Sequence, residues 1–149
     1  MSRPSLYEAA GGAQAMLALA ADFHARCLAD PVLEHPFSHG VNPAHVQRLA
    51  DYWGEVLGGP PVYSSRFGGQ EAMIRLHAHQ GADAEFGDRF VACFVAAIDS
   101  ADLPRDPELR SVLTAYMTWA TRDVLAFAPK EAVIPSGLTV PRWDWGGLS

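Results

Sequence analysis

Three of the six histidines fall where helical periodicity sets them among large apolar residues. His77 sits in the segment Ile74-Arg75-Leu76-His77-Ala78-His79-Gln80-Gly81, between two strongly amphipathic stretches. His45 shares a helical face with Leu49, Tyr52 and Val56, and His24 shares one with Leu17, Ala20 and Leu28. A neutral imidazole ligates a metal through one nitrogen and donates or accepts a hydrogen bond through the other. Three such rings aimed at one helical core point to a buried metal or haem. A histidine on an apolar face is also at home as a hydrogen-bonded core residue, and its aromatic neighbours are core residues under either reading. His35 and His39 lie in or near a loop, and His79 reads as facing solvent.

The elements that must carry these rings are helices. Between Ala13 and Ala29 the apolar residues Met16, Leu17, Leu19, Ala20, Phe23, Cys27 and Leu28 recur at helical spacing, and Asp30-Pro31 stops the run. A short piece from Val32 to Phe37 leads to the loop His39-Gly40-Val41-Asn42. Asn42-Pro43 reads as an N-cap with proline at the first helical position, opening a helix to Leu57 that Gly58-Gly59-Pro60-Pro61 ends. Residues 60–70 read as an irregular loop. A short helix from Gln70 to Ala78 carries His77. Long helices follow over 83–100, with Phe86, Phe90, Cys93, Phe94, Ala97 and Ile98 inside, and over 107–127, with Leu109, Leu113, Tyr116, Met117, Ala120, Val124 and Phe127 inside. No alternating strand pattern competes. The tail contains Val140-Pro141-Arg142-Trp143-Asp144-Trp145, and two tryptophans beside prolines predict a segment docked on the body or covering a subunit contact.

Composition narrows the function. The 149 residues suffice for one domain with a real core, and 49% are hydrophobic. A formal net charge of −6 argues against nucleic acid and anionic membrane surfaces as partners. Lys130 is the one lysine among 11 basic residues. No apolar run reaches the roughly 18 residues a membrane span needs, and no signal-peptide pattern opens the chain. A cytoplasmic setting with Cys27 and Cys93 as free buried thiols is expected.

In order and spacing, these residues resemble the truncated haemoglobins, the two-over-two helical globins, and most closely their group II members. Leu6-Tyr7-Glu8-Ala9-Ala10-Gly11-Gly12 resembles the family's opening and first double glycine. Asp22-Phe23-His24 through Leu28-Ala29-Asp30-Pro31-Val32-Leu33 resembles its second helix and turn. Gly58-Gly59-Pro60-Pro61-Val62-Tyr63-Ser64 resembles the group II second double glycine, and Arg75-Leu76-His77-Ala78 the proximal segment.

The resemblance implies an all-α truncated globin fold, a two-over-two sandwich around haem b, with residues 1–128 as the globin domain and 129–149 as an extension packed on it. It implies His77 as the axial ligand of the iron. It places Phe37, His45, Leu49, His24 and Phe90 in the distal pocket. Two of these depart from the group II pattern: His24 stands where tyrosine is usual, and Phe90 where tryptophan is usual. Tyr52, Phe94 and Met117 are expected as apolar walls, and Arg48, Arg75 and Tyr63 as partners of the propionates. With both usual donors gone, His24 and His45 are left to hold a polar ligand. The polarity and donors of the distal side decide between storage, activation and electron transfer.

Three classes of function follow. The first is a protein that binds oxygen, nitric oxide or carbon monoxide, in oxygen transport or in nitric-oxide detoxification; a catalytic version, a nitric-oxide dioxygenase or a peroxidase-like enzyme, needs an external electron donor. The second is a hexacoordinate redox or electron-transfer protein. The third is a haem-free globin-like interaction domain. A homodimer is a further candidate assembly.

Overall fold

The computed structural model of the chain describes residues 3–34, 44–79 and 81–149, apart from the side chain of Leu76. Phe37, the Asn42-Pro43 cap, His35 and His39 lie outside the described residues. Among the described residues there are seven helices: α1 (Leu6–Ala10), α2 (Gly12–Ala29), α3 (His45–Val56), α4 (Val62–Phe67), α5 (Gly69–His77), α6 (Ala84–Ser100) and α7 (Pro107–Leu125). Two short strands follow, β1 (Trp143–Asp144) and β2 (Gly147–Leu148). The packing agrees with the expected two-over-two arrangement: α2 packs on both α3 and α6, and α6 on α7.

The helix ends obey local chemistry. The Ser5 hydroxyl accepts the Glu8 N–H at 3.1 Å, Asp83 accepts that of Phe86 at 3.0 Å, and Asp106 that of Glu108 at 2.9 Å. Pro107 stands in the first turn of α7, where its missing N–H costs nothing. Gly59 follows α3 at a position where a Cβ would sit 2.7 Å from the Gly54 carbonyl oxygen and 2.8 Å from the Tyr7 ring. The second double glycine is thus a close-approach site for α1, whose Tyr7 N–H donates to Leu57 O at 2.9 Å. Gly87 does the same between long helices: a Cβ there would meet Leu125 at 2.8 Å.

The core is aromatic at its centre. Phe23 makes edge contacts with Phe90 at 4.8 Å, Trp53 at 5.4 Å and Phe94 at 6.1 Å, and Trp53 meets Phe94 at 5.0 Å. Edge-to-face geometry at these separations adds to the gain from area burial. Met16, Leu19, Ala20 and Cys27 complete the buried face of α2. Leu17 and Leu28 do not join it; they are 41% and 37% exposed, so the face of α2 shared with His24 is more open than periodicity suggests.

Two readings of the sequence are corrected. Residues 62–67 are helical, not irregular. A six-residue helix is too short to show a period, and its stability comes from elsewhere: the Glu55 carboxylate, buried on α3, accepts the Ser64 N–H at 2.8 Å and also the Ser64 hydroxyl. The tail also contains a two-stranded antiparallel ladder, pairing Trp143 with Leu148 and Asp144 with Gly147. Trp143 is buried against Tyr116 (5.6 Å) and Trp119 (5.9 Å). Trp145 donates its indole N–H to Pro4 O at 2.8 Å, and the Arg3 guanidinium lies 3.6 Å above its ring. Replacing Trp143 with alanine should cost about 3 kcal/mol, the usual loss for a large aromatic in a packed site. Chemical denaturation checks this: the midpoint should fall with its slope unchanged, and an unmoved midpoint would show that the tail's contacts contribute nothing to stability.

Candidate functional site

His77 is the last residue of α5, a nine-residue helix that starts from Gly68 in the left-handed conformation (φ +89°). Its Nδ1 lies 2.8 Å from the carbonyl oxygen of Met73, one turn back. A carbonyl only accepts, so Nδ1 carries the proton and donates it. The lone pair is left on Nε2, pointing away from the helix. This is the tautomer and anchorage that metal-ligating histidines typically have. His77 has accessible surface, yet desolvation by the surrounding protein is the strongest influence on it and holds its pKa below the ordinary value, against the opposing pull of the Met73 carbonyl. The lowered pKa favours the neutral ring, the form in which imidazole ligates a metal.

His24 on α2 and His45 at the start of α3 come together, with ring centroids 5.0 Å apart and planes tilted by 50°. Both are half-buried. Desolvation lowers the pKa of each; for His45, repulsion from His24, His77 and Arg48 adds to it. His77 and the His24–His45 pair therefore lie within electrostatic reach of one another. They do not form a direct three-ligand metal centre: among the described residues no cluster of three or more histidine, cysteine or acidic side chains could hold an ion.

The expected wall residues divide by depth. Phe94 and Met117 are fully buried, and Phe94 belongs to the aromatic cluster around Phe23. Phe90 and Leu49 are half-buried. Phe90 also stacks near Phe86 at 6.4 Å and, as a hydrocarbon ring, brings no donor. Tyr52 is buried, its hydroxyl donating to Gln70 Oε1 at 2.6 Å, and its ring meets Tyr63 edge-on at 5.1 Å. Gln70 and Glu55, both buried, escaped the sequence reading because a polar residue in a helix usually faces water. The signal that could have found Glu55 is its place among buried neighbours on α3, beside Trp53 and Val56.

The two candidate cations differ. Arg75 is exposed and paired with Glu71 one turn away at 3.3 Å. Arg48 is half-buried, with its guanidinium 4.9 Å from the Phe67 ring centroid. Its Nε is buried and has no hydrogen-bond partner among the described residues. Arg48 also pulls down the pKa of the Tyr63 hydroxyl, whose main influence is the upward push of burial. Arg48 thus lies within electrostatic reach of Tyr63, and a guanidinium and a hydroxyl are both donors a carboxylate accepts. Cys27 and Cys93 are free thiols, and burial raises the pKa of both, which leaves them unreactive.

The residues present fit haem: a neutral imidazole whose Nδ1 is used and whose Nε2 carries the lone pair, apolar walls, and an arginine Nε that lacks a partner among the described residues. All three histidines have folded-state pKa values below their unfolded ones. Below the ordinary histidine pKa of about 6.5, the unfolded chain binds more protons, so stability should fall as pH drops through that range. Thermal melts from about pH 8 down to about pH 5 check this; a melting temperature that holds steady across that interval would refute the enclosure of these rings.

Comparison with known proteins agrees with the geometry. The family model described as bacterial-like globin matches residues 5–124. Among solved structures, the haemoglobin of Chloroflexus aurantiacus is 29% identical, with 82% of this chain and 98% of that one covered and a TM-score of 0.71. The thermostable haemoglobin of Thermobifida fusca is 27% identical over 91% of this chain and 100% of that one, TM-score 0.68. The group II two-on-two haemoglobin of Agrobacterium tumefaciens is 25% identical over 83% and 95%, TM-score 0.70. No helix among the described residues is long and apolar enough to cross a membrane. The two-over-two packing of the helices agrees with what the match shows: this chain belongs to the bacterial-like globin family, a family of haem-binding proteins.

Proposed function

We propose that this globin binds oxygen and the related diatomic ligands nitric oxide and carbon monoxide, on haem b held through His77 Nε2. The observation that carries the reading is the hydrogen bond from His77 Nδ1 to Met73 O at 2.8 Å, which fixes the ligating tautomer. Haem iron supplies the open coordination position at which such ligands bind. Everything else is the work of the chain. Leu49, Tyr52, Phe90, Phe94 and Met117 keep water away. Arg48 and Tyr63 hold a propionate; Arg75, already paired with Glu71, serves a propionate only by giving up that partner. Residues 1–128 act as the globin domain and 129–149 as an extension seated on it.

On the distal side, His45 is the donor to the ligand and His24 sets its tautomer. Their 5.0 Å ring separation supports such a pairing, and low pKa values keep both neutral, so that one nitrogen donates while the other accepts. Phe90 contributes no hydrogen bond, so the ligand depends on histidine alone. Nitric-oxide detoxification is the catalytic extension of this reading and needs electrons from outside the chain. The electrostatic influence of His77 on His45 favours one second reading: a redox protein in which His45 closes on the iron. A low-spin ferric spectrum distinguishes it from the first.

His77→Ala should abolish the Soret band of the purified protein or leave haem without its protein ligand; an unchanged spectrum and unchanged haem retention would overturn the assignment. His45→Leu should speed oxygen release roughly tenfold, in line with the loss of one hydrogen bond to a polar ligand, and should remove any low-spin ferric signal. His24→Phe should act in the same direction and more weakly. Stopped-flow oxygen dissociation reads all three proteins, and equal rates throughout would remove both histidines from the distal role.

A further inference from the structure

The chain leaves α5 through a left-handed residue that is not glycine. His79 has φ +64°. Three hydrogen bonds tie this turn to the far end of α7 and the segment beyond it. The His79 N–H donates to Phe127 O at 2.9 Å, and the Gly81 N–H to Ala128 O at 2.9 Å. The His79 ring places Nε2 2.7 Å from Ala132 O. The partner is a carbonyl, so Nε2 is the donor. Ala132 is itself held, its N–H donating to Pro129 O at 3.1 Å. Ala78 and Ala128 are both buried at this junction.

The neighbourhood makes these bonds matter. The helix α5 is only nine residues long and packs mainly on the six-residue α4. A helix this short has little stability of its own. Its last turn closes with the Ala78 N–H on Ile74 O, and the next residue is His79. His77 is thus held between its own carbonyl anchor at Met73 and a tether two residues on. Glycine would take the left-handed conformation freely; here the position carries an imidazole, and the ring is used.

We propose that His79 is a positioning residue for His77: together with the two backbone bonds, its ring bond to the Ala132 carbonyl makes residues 127–132 a strap that sets how the His77 imidazole presents its ligating nitrogen. The inference rests on the haem reading of the site. Partners outside the ligand shell that fix a ligand's orientation tune the metal they serve, and this strap does so from the C-terminal side of the globin body.

The test uses the full-length haem-loaded protein and two variants, His79→Gly and His79→Gln. Glycine keeps the left-handed turn and removes the ring bond; glutamine restores a side-chain N–H donor of similar reach. Three measurements are made: the iron–histidine stretching band of the ferrous ligand-free form, the rate of haem loss to an excess of an apoglobin acceptor, and amide exchange of residues 77–81 in the haem-free chain. In His79→Gly the band should shift and broaden, haem loss should rise about fivefold, the factor one hydrogen bond of ordinary net strength represents, and the exchange of His77, Ala78 and Gly81 should quicken. His79→Gln should return all three toward the parent values. A folded His79→Gly with parent band position and haem-loss rate would overturn the strap, as would a folded His79→Gln that behaves like the glycine variant. A parent protein without a Soret band would overturn the haem reading instead, while the exchange measurement would still show whether the strap holds the end of α5.

Discussion

One hydrogen bond organises this molecule: the His77 Nδ1–H on the Met73 carbonyl. It places the proton, aims the ring, and leaves Nε2 as the only site for a ligand. An unanchored histidine at the end of a nine-residue helix would sample several rotamers and both tautomers. The surrounding protein adds a second constraint by making the charged form costly, so the neutral ring is held in one geometry. The cluster about Phe23, the close approach at Gly87 and the buried carboxylate of Glu55 position the helices that surround this ring.

The opposite face of the site shows what is individual to this chain. The α2 and α3 helices bring His24 and His45 together, while α6 presents Phe90 against Phe23. In the proposed reading, polar capacity at the distal side is concentrated in these two imidazoles, since Phe90 brings no donor. Such a pocket differs from one built on a phenol and an indole. Imidazole both donates and accepts, and its charge state responds to its neighbours. Desolvation lowers the pKa of both rings, and for His45 repulsion from His24, His77 and Arg48 adds to it.

The short helices are the mechanically weak parts, and buried polar side chains brace them. Glu55 caps α4 from α3. Gln70, in the first turn of α5, takes the Tyr52 hydroxyl. Each contact buries a polar group with its partner satisfied, which keeps the desolvation cost low and makes the geometry specific. Along the long helices the apolar faces do the same task through area and shape. The difference follows from length: six or nine residues cannot present a wide apolar stripe, so local hydrogen bonds must fix their orientation.

The long helices were legible in the sequence because a stripe of apolar residues at helical spacing, ended by stops such as Asp30-Pro31 and Gly58-Gly59-Pro60-Pro61, is a one-dimensional signal. His77 stood out for the same reason, joined to a resemblance that spans most of the chain. The helix over 62–67 was not, since its cap is a carboxylate supplied by another helix, nine residues away from Ser64. The exposure of Leu17 and Leu28 was likewise invisible, because periodicity assigns a face but not the neighbour that covers it. Nor could spacing reveal the left-handed His79, whose ring is used by a carbonyl 53 residues further on. The sequence by itself determined which segments coil and which rings fall among apolar residues, through local periodicity and side-chain type. Only the tertiary structure decided the tautomer of His77, the pairing of His24 with His45 and the state of Arg48, because each depends on atoms brought close in space by packing and not by order along the chain.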